Sequence, residues 1–253
     1  MKHYNYLLAT DIDNTLTGDP EALKELRNDL EALRKKGELF LVLSTGRRLN
    51  QVLDGFENEF IPRGDAIVSQ VGTEIYLPPF SLSSRPNDEW NRKLNGQFSR
   101  GKALEFVEGI EGLELQPEEF NTPLKVSCYL DKAPDPEKAV EQIRRRIEDK
   151  GESCQVVWSS GRDLDIIPAD AGKGKAIRFL INHLELSPKQ VIVAGDSGND
   201  RSMFDEFESG IIVGNAKPEL KKLQEEHPGG KLFFAEKLYA AGVLEGLKHF
   251  GVL

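Results

Sequence analysis

Tyr6-Leu7-Leu8-Ala9-Thr10-Asp11-Ile12-Asp13-Asn14-Thr15 is the stretch from which the rest of the chain is read. Its apolar half, Tyr6 to Ala9, has the profile of a strand buried on both faces, and the abrupt change to Thr10-Asp11-Ile12-Asp13 marks that strand's carboxyl end. A helix is expected next. From Pro20 to Lys36 the leucines 23, 26, 30 and 33 recur at spacings of three and four, charged residues fill the other face, and Gly37 closes the segment. Leu39 to Leu43 then reads as a second buried strand, ending in Ser44-Thr45-Gly46-Arg47. Strand, helix, strand, with polar residues after each strand, is the pattern of a parallel sheet wrapped by helices.

Further along, a third strand is expected at Ala66 to Ser69, with Gly72 to Tyr76 turning back as a short hairpin. Pro78, Pro79, Pro86 and several serines punctuate residues 78–88, as a linker into an inserted unit would. The insertion reads as a helical segment around Trp90 to Glu108, a strand at Leu124 to Leu130, a helix from Pro136 to Lys150, and strands at Gln155 to Ser159 and Leu164 to Ile167. After Pro168 the alternation resumes with a helix from Gly174 to His183 and strands at Val191 to Ala194, Ile211 to Val213 and Leu232 to Phe234. The expected fold class is α/β: a doubly wound parallel sheet built from residues 1–78 and 168–253, carrying an α+β cap over residues 79–167.

A chain of 253 residues has room for such a core and a smaller second unit. The balance of 33 basic against 42 acidic residues gives a net charge of -9, which offers no general attraction for nucleic acid or an anionic membrane. The local cluster Arg144-Arg145-Arg146 falls within a helical pattern and reads as a solvated face. Met1 to Asn5 lacks the apolar stretch of a secretory leader, and no run of about 18 apolar residues follows, so a cytoplasmic location is expected. Cys128 and Cys154 lack the spacing of a zinc site and are expected to be buried, inert hydrophobes.

In an open parallel sheet the ligand site lies beyond the carboxyl ends of the strands, where helix N-termini and loop N–H groups converge. Asp11, Asp13, Thr45 and the run Gly195-Asp196-Ser197-Gly198-Asn199-Asp200 are all placed there. The carboxylates of Asp11, Asp13, Asp196 and Asp200 would repel in one crevice, which asks for a divalent cation, and oxygen-only donors suit Mg²⁺. Asp11, Asp196 and Asp200, with the backbone carbonyl of Asp13, form the expected ligand set. A strand-end carboxylate such as Asp11 can attack phosphorus to give an acyl phosphate. A second carboxyl group two residues on, Asp13, can protonate the leaving oxygen and later deprotonate water. Thr45 and Gly46 offer a hydroxyl and backbone N–H to phosphoryl oxygens, Asn199 orients the acidic loop beside them, and a lysine neutralises the transferring group. That lysine is Lys173 or Lys175, with Lys173 favoured because it precedes the helix body. The plain alternatives are turns and caps for the two first aspartates, and a surface ion pair for Arg47. His3, His183, His227 and His249 fall outside every motif and carry no catalytic assignment.

Asp11-Ile12-Asp13-Asn14-Thr15, Ser44-Thr45-Gly46-Arg47, Lys173-Gly174 and Gly195-Asp196-Ser197-Gly198-Asn199-Asp200 resemble, in order, the four motifs of the haloacid dehalogenase superfamily of phosphatases. The resemblance covers nearly the whole chain, and the position of the insertion resembles the subclass with a large cap before the lysine motif. Val71 to Tyr76, Pro123 to Ser127, Trp158 to Asp165 and Ser197 are similar to the sucrose-phosphate phosphatases; Leu16 departs, standing where an aromatic residue or methionine is expected. The resemblance implies Mg²⁺-dependent hydrolysis of a sugar phosphate, sucrose 6-phosphate first, through an aspartyl phosphate on Asp11. It implies that Lys125, Ser159, Ser160, Asp163 and Asp165 lie on the cap face over the sugar, with Glu74 at the core's edge. The alternatives it leaves are another glycosyl phosphate (mannosylfructose, trehalose or glycosylglycerol phosphate), a phosphosugar mutase, or a binding subunit without turnover. Association with a sucrose-phosphate synthase is a further expectation.

Overall fold

The computed structural model describes residues 4–96, 98–226 and 231–253; His3 and His227 lie outside the described residues. The chain runs β1 (Tyr6–Thr10), α1 (Pro20–Lys36), β2 (Leu39–Ser44), α2 (Leu49–Asn58), β3 (Ala66–Ser69) and β4 (Glu74–Tyr76). The insertion follows: α3 (Asp88–Leu94), α4 (Arg100–Val107), β5 (Glu114–Leu115), β6 (Val126–Tyr129), α5 (Pro136–Lys150), β7 (Cys154–Ser159) and β8 (Asp163–Pro168). Then come α6 (Lys173–Leu184), β9 (Val191–Gly195), α7 (Arg201–Glu206), β10 (Ser209–Ile212), α8 (Pro218–Lys221), α9 (Leu223–Glu226), β11 (Lys231–Phe234) and α10 (Tyr239–His249). Helix α1 forms where its pattern says it should. Asp19 accepts from the N–H groups of Glu21 and Ala22, Pro20 opens the first turn, and Leu23, Leu26 and Leu30 are buried.

The main sheet has the order β11-β10-β9-β1-β2-β3-β4, parallel except for β4. From the centre the chain builds outward through β1, β2 and β3 on one side, and through β9, β10 and β11 on the other. Right-handed crossovers running in opposite directions put their helices on opposite faces. Accordingly α1 packs on α10 and β2, while α6 packs on α7 and β3. The reversal falls between β1 and β9, so a crevice opens at the carboxyl ends of those two strands. This is the doubly wound core expected from the sequence.

The smaller sheet, β5-β6-β8-β7, is antiparallel and is covered by α4 and α5, with Phe106, Ile143, Val126 and Leu164 in its own apolar cluster. The stretch Trp90 to Glu108, expected as one helical segment, is two helices, because α3 stops at Asn95, which is extended, and Gly96 follows at φ 94°. α3 also sides with the main core. Trp90 and Leu94 are buried in the main apolar cluster, and the Trp90 indole N–H donates to the Gly72 carbonyl at 3.2 Å. Cys154 is half-buried rather than buried. Burial pushes its thiol up to about 11 and that of Cys128 up to about 12, so neither is a thiolate near neutrality. Among the described residues no helix is long and apolar enough to cross a membrane.

Candidate active site

Asp11 is the first residue beyond β1, and its N–H donates to the Ala194 carbonyl on β9 at 2.9 Å, stitching the two sides of the crevice together. Asp196 is the first residue beyond β9. The carboxylates of Asp11, Asp196 and Asp200 are buried, and each contributes an oxygen within 4.8 Å of the others. One oxygen of Asp200 accepts from the N–H groups of Asp196 (2.9 Å) and Ser197 (3.2 Å), so the acidic loop folds back upon its own last carboxylate. The other accepts from Lys173 at 2.6 Å.

Lys173 stands on the first turn of α6 and is fully buried. Its ammonium also donates to Asp11 at 2.7 Å and to the Asn199 side-chain carbonyl at 2.9 Å. Lys175 points away, donating to the Ala169 carbonyl at 2.7 Å. One ammonium therefore bonds two of the three clustered carboxylates. Burial and then the neighbouring Asp200 and Asp196 push Asp11 well above the usual carboxylate range, against the pull of Lys173. Burial and then Asp200 push Asp196 up to about 7. For Lys173 burial opposes the charge, yet Asp11 and Asp200 outweigh it and raise its pKa.

One oxygen of Asp196, Oδ2, is buried without a hydrogen-bond partner. A buried acceptor left open beside two further carboxylates is what a hard cation would satisfy, and the all-oxygen donor set fits Mg²⁺. The Asp13 carboxylate is not in this cluster. Its side chain is 51% exposed and is bonded by Arg47.

Thr45 is buried at the end of β2, its N–H donating to Val68 at 2.8 Å and its hydroxyl accepting from the Arg47 N–H at 3.1 Å. Beyond it Gly46 and Asn199 border a cavity of about 220 Å³ between core and cap. Lys125, Ser159, Asp163 and Asp165 line its cap side. The Lys125 ammonium lies 3.4 Å from Asp165, which also accepts from the Ser127 hydroxyl at 2.5 Å. Glu74 and Ser160 do not border this cavity. Glu74 accepts from Ser69 and Tyr76, while Ser160 turns outward with Gly161 and its N–H donates to Glu219 of α8 at 3.0 Å.

Sequence reasoning missed Gln116, Phe120 and Gln51, which also line the cavity. Gln116 donates to Asp163 at 2.9 Å, and the Arg48 guanidinium lies 4.8 Å over the Phe120 ring. The residues around Gln116 and Phe120 have no strand or helix period, so no pattern in the sequence marked them.

Residues 4–251 match a family model described as sucrose-6F-phosphate phosphohydrolase. A mannosylfructose-phosphate phosphatase of Agrobacterium fabrum is 34% identical over 97% of this chain and 97% of its own length. Sucrose-phosphatase 1 of Nicotiana tabacum is 32% identical over 97% of this chain, which spans 59% of that longer relative. Among solved structures, the sucrose-phosphatase of Synechocystis sp., determined with sucrose and phosphate, superposes with a TM-score of 0.91 at 31% identity, covering 98% of this chain and 99% of that one.

Proposed function

The chain belongs to the sucrose-6F-phosphate phosphohydrolase family, of haloacid dehalogenase fold, and is a phosphatase of sugar phosphates; we propose that its substrate is a disaccharide phosphate, sucrose 6-phosphate first. The observation that carries this reading is the buried set Asp11, Asp196, Asp200 and Lys173 at the reversal of the sheet, beside a polar cavity shared by core and cap. In the first displacement an Asp11 oxygen attacks phosphorus, the ester P–O bond breaks, and Asp13 gives a proton to the departing sugar oxygen. In the second, water attacks the same phosphorus, Asp13 takes the proton, and the Asp11–phosphorus bond breaks to release inorganic phosphate. Lys173 neutralises charge on the transferring group, and Thr45 with the Gly46 N–H holds its oxygens.

Asp11, Asp196, Asp200 and the Asp13 backbone carbonyl would hold Mg²⁺. When bound, the ion supplies positive charge to a site in which carboxylates otherwise outnumber ammonium. On the cap, Lys125, Asp163, Asp165 and Ser159 present charged and hydroxyl groups that suit a hydroxyl-rich sugar, since a site built to pair with OH groups discriminates against ligands lacking them. The likeness to the Agrobacterium enzyme favours mannosylfructose phosphate as the second reading. The test is release of inorganic phosphate from a panel of disaccharide and monosaccharide phosphates, with and without chelator. Preference for a disaccharide phosphate, lost with chelator, is expected; monosaccharide phosphates turned over equally well would refute the cap assignment.

A further inference from the structure

Arg47 leaves β2 two residues beyond Thr45, and its guanidinium is clamped between two carboxylates. Its Nε and Nη2 donate to Asp13 at 3.0 and 2.7 Å, while Nη1 and Nη2 donate to the two oxygens of Glu59 at 2.7 and 2.8 Å. Glu59 is the residue that follows α2, so one end of this chain of contacts is fixed to a core helix. A guanidinium is a rigid planar fork, and two-pronged bonding to Glu59 sets the plane in which its remaining donors meet Asp13. The Arg47 side chain is only 14% exposed. Burial opposes its charge, but Glu59 and Asp13 together raise its pKa above the usual arginine.

The helix beneath packs closely against this arginine. Gly55 lies inside α2, and a Cβ there would stand 3.0 Å from Arg47 Nη1 and 2.5 Å from a methyl carbon of Ile61. Glycine within a helix costs roughly 1 kcal/mol relative to alanine. α2 thus carries a glycine at the point where Ile61 and, at longer range, Arg47 pack against it.

We propose that Glu59 is a positioning residue for the reaction: it fixes the Arg47 guanidinium, which in turn holds the half-exposed Asp13 carboxylate in one orientation for proton transfer. This rests on the reading of Asp13 as acid and base. A side chain as exposed as Asp13 would otherwise sample several rotamers, and a misplaced proton donor is a poor one.

The test compares the parent with Glu59→Ala, Glu59→Gln, Arg47→Lys and Asp13→Asn on two substrates. Sucrose 6-phosphate has a leaving oxygen that must be protonated; p-nitrophenyl phosphate releases a stable nitrophenolate that need not be. On the sugar ester, Glu59→Ala and Arg47→Lys are expected to lower kcat by roughly 10- to 100-fold with KM nearly unchanged, within the range of general acid–base effects. Glu59→Gln, which keeps one acceptor for Arg47, should fall between. On the aryl ester both damaged variants should still release one nitrophenolate per site at the parent's rate and then turn over slowly, because attack by water still needs the base. Parental kcat in Glu59→Ala and Arg47→Lys overturns the proposal. So does slowing of the aryl burst in the same proportion as sugar turnover, which marks a general distortion of the site. The control separates the two readings. If Asp13→Asn hydrolyses the sugar ester at the parent's rate, the acid–base reading fails; if it gives a burst without turnover while Glu59→Ala and Arg47→Lys behave as the parent, only the positioning claim fails.

Discussion

A single buried ammonium paired with Asp11 and Asp200, in a cluster completed by Asp196, makes Lys173 the residue on which the site's charge balance turns. Removing one partner of a buried ion pair strands the others, at a cost of about 3–5 kcal/mol. Lys173→Met is therefore expected to lower the melting temperature in chelator and to reduce kcat by at least about 100-fold, as loss of a preorganised charge does in other transfers. Lys175→Met should change neither, because that side chain points at the Ala169 carbonyl. Thermal denaturation beside phosphate release checks both. The convergence of Asp11, Lys173, Asp196 and Asp200 was legible because they stand near strand ends or helix starts that the hydrophobic pattern already marks. The clamp Asp13–Arg47–Glu59 was not, since Glu59 follows a helix the pattern did not reveal, and a surface ion pair was the plain reading of Arg47.

Helices carry the next lesson. α1 and α5 were readable to the residue because both open on Asp-Pro, end before glycine, and space their apolar side chains at three and four. α2 and α10 were passed over: α2 has no side-chain N-cap hydrogen bond, and α10 carries glycines at 242 and 246 inside its run. The break at Asn95-Gly96 was missed because Trp90 to Glu108 was read as one helical segment. α3 is tied to α6 by the His183 imidazole, 3.0 Å from Glu89 and 2.9 Å from the Phe179 carbonyl. The backbone carbonyl first, and then Glu89, raise the pKa of His183 above its ordinary 6.5. A base whose folded pKa is raised contributes stability that is full below the unfolded value and is lost as the pH rises through the folded value. His183→Gln should therefore melt lower than the parent at about pH 5.5, by roughly a degree for so exposed a pair, and match it by about pH 9. A melting series across that range checks the sign; a gap that widens toward alkaline pH would contradict it.

For the molecule as a whole, the acidic cluster proposed to hold Mg²⁺ and the cap contact set the expected responses. An ion that binds only the folded chain stabilises it by about 2.7 kcal/mol at a hundredfold excess over its dissociation constant. Mg²⁺ should raise the melting temperature by several degrees, chelator should abolish the rise, and Asp196→Asn should blunt it. The cap rests on the acidic loop at Gly198, where a Cβ would stand 2.2 Å from the Trp158 carbonyl. Gly198→Ala must push β7 outward, and is expected to raise KM for a disaccharide phosphate about tenfold while altering KM for p-nitrophenyl phosphate far less. Steady-state kinetics on the two substrates decide it. The return of alternation after Pro168 was visible in the sequence, but the meeting of Trp158 with Gly198 was not, because a contact between two different sheets leaves no period in either.

The hydrogen bond from Lys173 to Asp11 spans 162 positions of chain. During synthesis on the ribosome, the first carboxylate emerges long before the cation and the acidic loop that it needs. Roughly four-fifths of this chain, through Asp200, must therefore be translated before the centre can assemble, and a prematurely terminated product would be inert however well its first strands had collapsed.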